Sequence, residues 1–134
     1  KNVDSIKQEV RFGENTRFDF MLSYKNKKTF VEVKNVTLSR KNGVAEFPDA
    51  ITTRGLKHIN ELLKAKKLGY DICLLFLIQR NDCNEFNLAK DIDPEYARCL
   101  LSGLKKKLKI LCYDCKLSSK GIKLHRKIKL NLNG

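Results

Sequence analysis

The chain has 134 residues, 42% of them hydrophobic, and a net charge of +13. That length suits one domain with a single core, and no apolar run approaches the roughly 18 residues of a membrane span, so no membrane partner is expected. Five cysteines (Cys73, Cys83, Cys99, Cys112, Cys115) form an odd set without framework spacing, which fits a reduced, cytoplasmic protein and excludes a disulfide scaffold.

In chain order, a short helix is predicted over residues 4–10, with Asp4 or Ser5 as cap and Ile6 and Val10 four apart. Residues 13–15 break it. Phe18, Phe20 and Leu22 then alternate with Asp19, Met21 and Ser23, a half-buried strand. Residues 25–28 read as a polar turn into a second strand over 29–38, and residues 40–43 end that strand or form a loop. Leu56, Ile59, Leu62, Leu63 and Leu68 predict a helix over 53–68, capped by Thr52 or Thr53 and stopped by Gly69. Residues 72–79 lack polar alternation, as befits the centre of a covered sheet. Asp93 and Pro94 open a second helix running to about Lys107. Strands are predicted over 108–114 and 122–130. The order α-β-β-α-β-α-β-β implies an α/β domain, a mixed β-sheet flanked by helices.

The charge is uneven. Residues 101–134 hold ten Lys or Arg against one acid, Asp114, and so supply +9 of the +13. An excess of this size favours a polyanionic partner, most simply nucleic acid. The bias of 21 Lys to 7 Arg, with 11 Asn, is one that codon composition alone can produce, so charge leaves the partner open. Cys112 and Cys115 form a lone C-x-x-C. It lacks the second ligand pair of a structural zinc site, and in a strand residues three apart face opposite sides.

The stretch "TFVEVKNVTL" (29–38) poses the sharpest question, because Glu32 and Lys34 interrupt an apolar strand and share one face. In the simplest hairpin Tyr24 faces Thr29. Asp19 then lies opposite Lys34 and diagonal to Glu32, with all three on one side. Opposed Cβ atoms are about 5 Å apart and diagonal ones about 7–8 Å, near enough for two carboxylates to share a divalent cation. The alternative is a solvated face with a cross-strand ion pair contributing under about 1 kcal/mol. Neighbouring acids favour the ammonium form of Lys34, which makes it an electrostatic partner more than a proton acceptor.

Asp19 followed by Glu32-Val33-Lys34 resembles the core of the PD-(D/E)xK nuclease fold, which is restriction-endonuclease-like. More closely, the chain resembles the sugar fermentation stimulation protein A family, in "RFGENTRFDF" (11–20), "VEVKNVTL" (31–38), "FPDAITTRGLKHINEL" (47–62), "LLFLIQR" (74–80) and "IDPEYA" (92–97). The resemblance implies a single nuclease-like domain over 1–134, without the family's N-terminal OB-like domain. It assigns Glu9, in a first helix, together with Asp19 and Glu32 to a Mg2+ (or Mn2+) site, with Lys34 as a further catalytic residue. Phe18 stands where the motif's name has proline. Pro48-Asp49 spells the motif but follows E-x-K, so Asp49 reads as a turn residue or helix cap. Arg54, Lys57 and His58 are either a solvated helix end or phosphate contacts to DNA, and His125 reads as surface. Two functions remain: a Mg2+-dependent DNA nuclease, and a non-catalytic DNA-binding or regulatory module on a nuclease fold.

Overall fold

The computed structural model describes residues 3–132. In chain order the elements are β1 (Ser5–Phe12), β2 (Thr16–Tyr24), β3 (Lys27–Val36), β4 (Leu38–Lys41), β5 (Val44–Phe47), α1 (Thr53–Lys67), β6 (Asp71–Ile78), β7 (Glu85–Leu88), α2 (Pro94–Lys105), β8 (Lys109–Ser118), β9 (Gly121–Lys127) and β10 (Lys129–Leu130). The principal sheet has the order β1-β2-β3-β6-β8-β9, and a smaller one the order β10-β7-β5-β4. In the first, β3, β6 and β8 run parallel, while β1, β2 and β9 are antiparallel to their neighbours. Parallel strands need a crossover, and α1 supplies it between β3 and β6.

Ile72, Leu74, Phe76 and Ile78 of β6 are buried on one side. There they meet Ile59, Leu62 and Ala65 of α1, Tyr96, Ala97 and Leu100 of α2, and Phe86 of the small sheet. Full burial of side chains this large contributes about 1.5–3 kcal/mol each. Both helices thus gather on one side of the principal sheet. The other side, around Val31, Cys73, Leu75 and Leu111, opens onto a cavity of about 700 Å3. No described helix is long and apolar enough to cross a membrane.

The predicted helix at residues 4–10 is instead strand β1. Seven residues are too few for a stable isolated helix, and the segment finds a longer partner in β2, from Ser5↔Ser23 to Phe12↔Thr16. The β2–β3 register also differs. Lys25 and Asn26 take φ of 46° and 67°, the left-handed pair that a two-residue hairpin turn requires, so Tyr24 pairs with Lys27 and not with Thr29. Asp4 braces this turn by accepting the Lys25 N–H at 2.9 Å. Asp19 comes level with Glu32 instead of Lys34. Most of the small sheet is absent from the sequence reading, because its strands have two to four residues and, apart from the β4–β5 hairpin, pair over long separations.

Asp93, only 4% exposed, couples the two helices. Its Oδ1 caps α2 by accepting the Tyr96 N–H at 3.1 Å, and its Oδ2 accepts the N–H of Thr52 at 2.9 Å. Thr52 in turn caps α1 through its hydroxyl, which accepts the Gly55 N–H. Loss of a cap costs about 1 kcal/mol. Asp93→Ala is therefore expected to destabilise the domain by about 2 kcal/mol, about half from the α2 cap and half from the hydrogen bond to the Thr52 N–H. Urea titration reads this as a lower midpoint at unchanged slope, and a midpoint equal to wild type refutes the coupling of the two helices through Asp93.

Candidate functional site

The β2–β3 ladder ends at Phe20↔Val31. The next rung is made by carboxylates: Glu32 Oε1 accepts the Asp19 N–H at 3.2 Å, and Asp19 Oδ2 accepts the Val33 N–H at 2.7 Å. The strands part here, and each acid satisfies a backbone donor of the other strand. The inward-facing parity of β2 changes at the same point. Thr16 and Phe18 are buried before Asp19, and Met21 after it, while Phe20 and Leu22 are only half-buried, against the uniform alternation read from the sequence. On β1, Glu9 lies beside this break with φ 53°, a conformation that strains any residue with a side chain.

Glu32 is 4% exposed. Its Oε2 lies 2.6 Å from His58 Nδ1 and 3.6 Å from Lys34 Nζ, and Nζ is 2.8 Å from the same Nδ1. One ring nitrogen thus faces both a carboxylate and an amine. It can donate to Glu32 or accept from Lys34, not both at once. Burial works against ionisation of Glu32, but the His58 hydrogen bond and the nearby charges of His58 and Lys34 outweigh it and hold the carboxyl below its ordinary range. Burial pushes the Asp19 carboxyl up, and the adjacent Glu32 adds to this against the Val33 N–H. Burial also lowers Lys34, helped by the charge of Arg54, although Glu32 and Asp19 pull the other way. The neighbouring acids, visible in the sequence, favour the ammonium; desolvation, which only the fold reveals, outweighs them.

Glu9, Asp19, Glu32, Arg54, Lys57 and His58 all line one cleft of about 470 Å3, together with Arg11, Glu14, Asn15, Thr16 and Arg17. The larger cavity on the open sheet side contains one acid, Asp71, already paired with Lys66, so the chemistry belongs to the smaller cleft. Arg54 and Lys57 stand exposed on its helical wall. His58 does not sit at a solvated helix end; it is 7% exposed and aimed at Glu32. Its partners Glu32 and Lys34 are remote in sequence, but its place on the apolar stripe Gly55, His58, Ile59, Leu62 was a usable signal. Thr16 and Glu61 were also missed. The Thr16 hydroxyl donates to Glu61 at 3.0 Å, and Lys57 Nζ donates to the Asn15 carbonyl at 3.0 Å, which ties the β1–β2 hairpin to α1.

Elsewhere, Asp49 lies in a bend outside the cleft. Cys112 is buried, with its thiol pushed up to about 12 by desolvation and by Asp114, and Cys83, Cys99, Cys112 and Cys115 are outside any disulfide. His125 is nearly half exposed beside Asp114. Among the described residues, no three Asp, Glu, His or Cys side chains are gathered tightly enough to hold an ion as they stand.

A family model described as the sugar fermentation stimulation protein RE domain matches residues 1–121. A sugar fermentation stimulation protein homolog of Pelagibacter ubique is 52% identical over 96% of this chain and 56% of its own length, and one of Roseobacter denitrificans is 42% identical over 96% and 55%. The chain spans about half the length of the curated relatives it matches. The solved structure of Pyrococcus furiosus SfsA in complex with Ca2+ superposes with a TM-score of 0.83 at 27% identity, covering 94% of this chain and 54% of that one.

The strain and repulsion in the cleft yield signed expectations. Asp19→Asn keeps an acceptor for Val33 and removes the repulsion, so it should raise Tm by a few degrees in metal-free buffer. Because the folded pKa of Asp19 is raised, its ionisation opposes folding above that pKa. The advantage of Asp19→Asn is then largest at neutral pH and fades on acidification, gone below the ordinary value of 3.8. Glu9→Gly should likewise stabilise, by about 1 kcal/mol, by relieving the positive φ. Glu32→Ala leaves Lys34 and His58 without their carboxylate and should cost about 3–5 kcal/mol. Thermal melts between pH 4 and pH 8 check all three, and a stabilising Glu32→Ala contradicts the buried pair.

Proposed function

The chain belongs to the sugar fermentation stimulation protein family and has a restriction-endonuclease-like α/β fold, and from that premise we propose that it is a DNA-binding, Mg2+-dependent nuclease of the PD-(D/E)xK type. In this reading residues 1–134 are one nuclease-like domain. One observation carries it: two carboxylates, Asp19 and Glu32, abut in a cleft walled by Arg and Lys, where the strands part, with the half-buried Lys34 one pleat from Glu32. Two adjoining acids in a DNA-binding cleft repel each other and the phosphodiester unless a cation lies between them.

The donor set is all oxygen, as hard divalent ions require. Asp19 and Glu32 would hold the ion, and Glu9 would join by turning inward from its strained backbone position. That SfsA from Pyrococcus furiosus was solved with Ca2+ supports a hard-cation site here. The bound ion would supply charge neutralisation and Lewis acidity at the phosphoryl group. The chain's own residues do the rest. Lys34, with its affinity for a proton reduced by burial, can accept a proton from an attacking water or offset charge on the phosphate. His58 fixes Glu32 and Lys34 relative to each other, a task that suits its place better than contact with DNA. Arg54 faces solvent on the cleft wall, where phosphate oxygens would lie, while Lys57 beside it is held by the Asn15 carbonyl.

A second reading, a non-catalytic DNA-binding module, is favoured by one observation: Glu32 Oε2 is already committed to His58. Cleavage of single- and double-stranded DNA, with Mg2+, Mn2+ or chelator, separates the two. Under the nuclease reading, Asp19→Asn and Glu32→Gln abolish metal-dependent cleavage while metal-free DNA binding stays equal or tightens, because negative charge is lost. Lys34→Ala loses cleavage and keeps the ion. Calorimetry with Mn2+ decides between the readings: equal binding, or none, by wild type and Asp19→Asn leaves the binding module.

A further inference from the structure

Resting on the nucleic-acid reading of the cleft, we propose that Arg11 and Arg17 on the β1–β2 hairpin form a phosphate clamp, the second basic wall facing Arg54 across the carboxylates. The protein has seven arginines. Arg40, Arg80, Arg98 and Arg126 are each ion-paired to a carboxylate. Among the described residues, Arg11, Arg17 and Arg54 are not, and all three line the same cleft.

The hairpin register sharpens the point. Arg11 pairs directly with Arg17 across β1 and β2. Opposed Cβ atoms in such a ladder lie about 5 Å apart, and like charges there destabilise the pair. The neighbouring acids do not relieve it. Glu9 and Glu14 share the cleft, yet neither lies within ion-pair distance of either guanidinium. Two opposed guanidinium groups, unpaired and exposed, suit an anion that bridges both. The guanidinium fork matches phosphate oxygens bidentately, and contacts of this kind position a nucleic acid without reading its sequence.

The wall is also fixed in place. Lys57 holds the Asn15 carbonyl and Glu61 holds the Thr16 hydroxyl, so the hairpin keeps its distance from α1. On the inner side, Phe12 and Phe18 pack at 5.4 Å between ring centroids and anchor the same strands in the core. A clamp on a rigid hairpin loses little entropy on binding. Lys57, spent on Asn15, acts as the tie between the two walls more than as a free phosphate contact.

The test is fluorescence anisotropy with labelled single-stranded and duplex DNA in chelator, from about 50 to 200 mM salt, beside thermal melts. Arg11→Gln with Arg17→Gln should weaken binding roughly tenfold or more and reduce the log–log salt slope by about 2, each single change by about 1. Tm should hold or rise, since a repulsive pair is removed; Arg98→Ala, in the second turn of α2 and outside the cleft, should leave affinity and slope unchanged. If wild type binds DNA and the double variant matches its affinity and slope, the clamp is overturned while the nucleic-acid reading stands. If the double variant loses affinity and stability together, the arginines are structural and the clamp is again overturned. If wild type binds no DNA at the lowest salt, both readings fall.

Discussion

A missing rung in a β-ladder organises this molecule. Where β2 and β3 stop exchanging backbone hydrogen bonds, Asp19 and Glu32 exchange side-chain bonds to the two main chains instead. Buried backbone donors need partners, so the acids are held in place by the sheet's own requirement. The same substitution fixes their separation. Two carboxylates that must each reach the other strand's N–H cannot move apart, and their mutual repulsion is built into the native state. The neighbouring positive φ at Glu9 adds strain on the adjacent strand. Such concentrations of local cost mark places where structure serves something besides stability.

Helix α1 meets that break with residues from two faces. Its apolar stripe enters the core through Ile59, Leu62 and Ala65, while His58, one step around, reaches Glu32 and Lys34. Arg54 and Lys57 on the flank look into the cleft. A single helix therefore carries core packing, the positioning of the E-x-K pair and part of the basic wall. Its start is set by Thr52, whose N–H is held by Asp93, so the geometry of the cleft traces back to an acid at the head of the other helix.

The carboxylates and the lysine were legible in the sequence because polar residues inside an apolar strand are a local signal, read by alternation alone. The two helices were legible from caps and periodicity, and both were found within about two residues. The register was not, since it turned on whether Lys25 and Asn26 enter the left-handed region, which neither residue announces as glycine does. β1 was misread because Ile6 and Val10 fit a helical spacing as well as an extended one, and only the pairing with β2 decides. The tie from Thr16 to Glu61 and the contact of His58 with Glu32 span 45 and 26 residues; such distances are set by topology, beyond the reach of local pattern.

The place of β6 carries a consequence for how the protein comes into being. Every side chain of the cleft lies between Glu9 and His58, and so is synthesised ahead of β6. Yet β3, which presents Glu32 and Lys34, is paired along its other edge by β6, a strand that follows α1. On a growing chain the hairpins can form early by local pairing, while the edge of β3 stays open until residues 71–78 arrive. Non-local parallel pairing is the slower event. The cleft therefore matures late, from parts made early, and only a chain that has closed its crossover holds the acids in register.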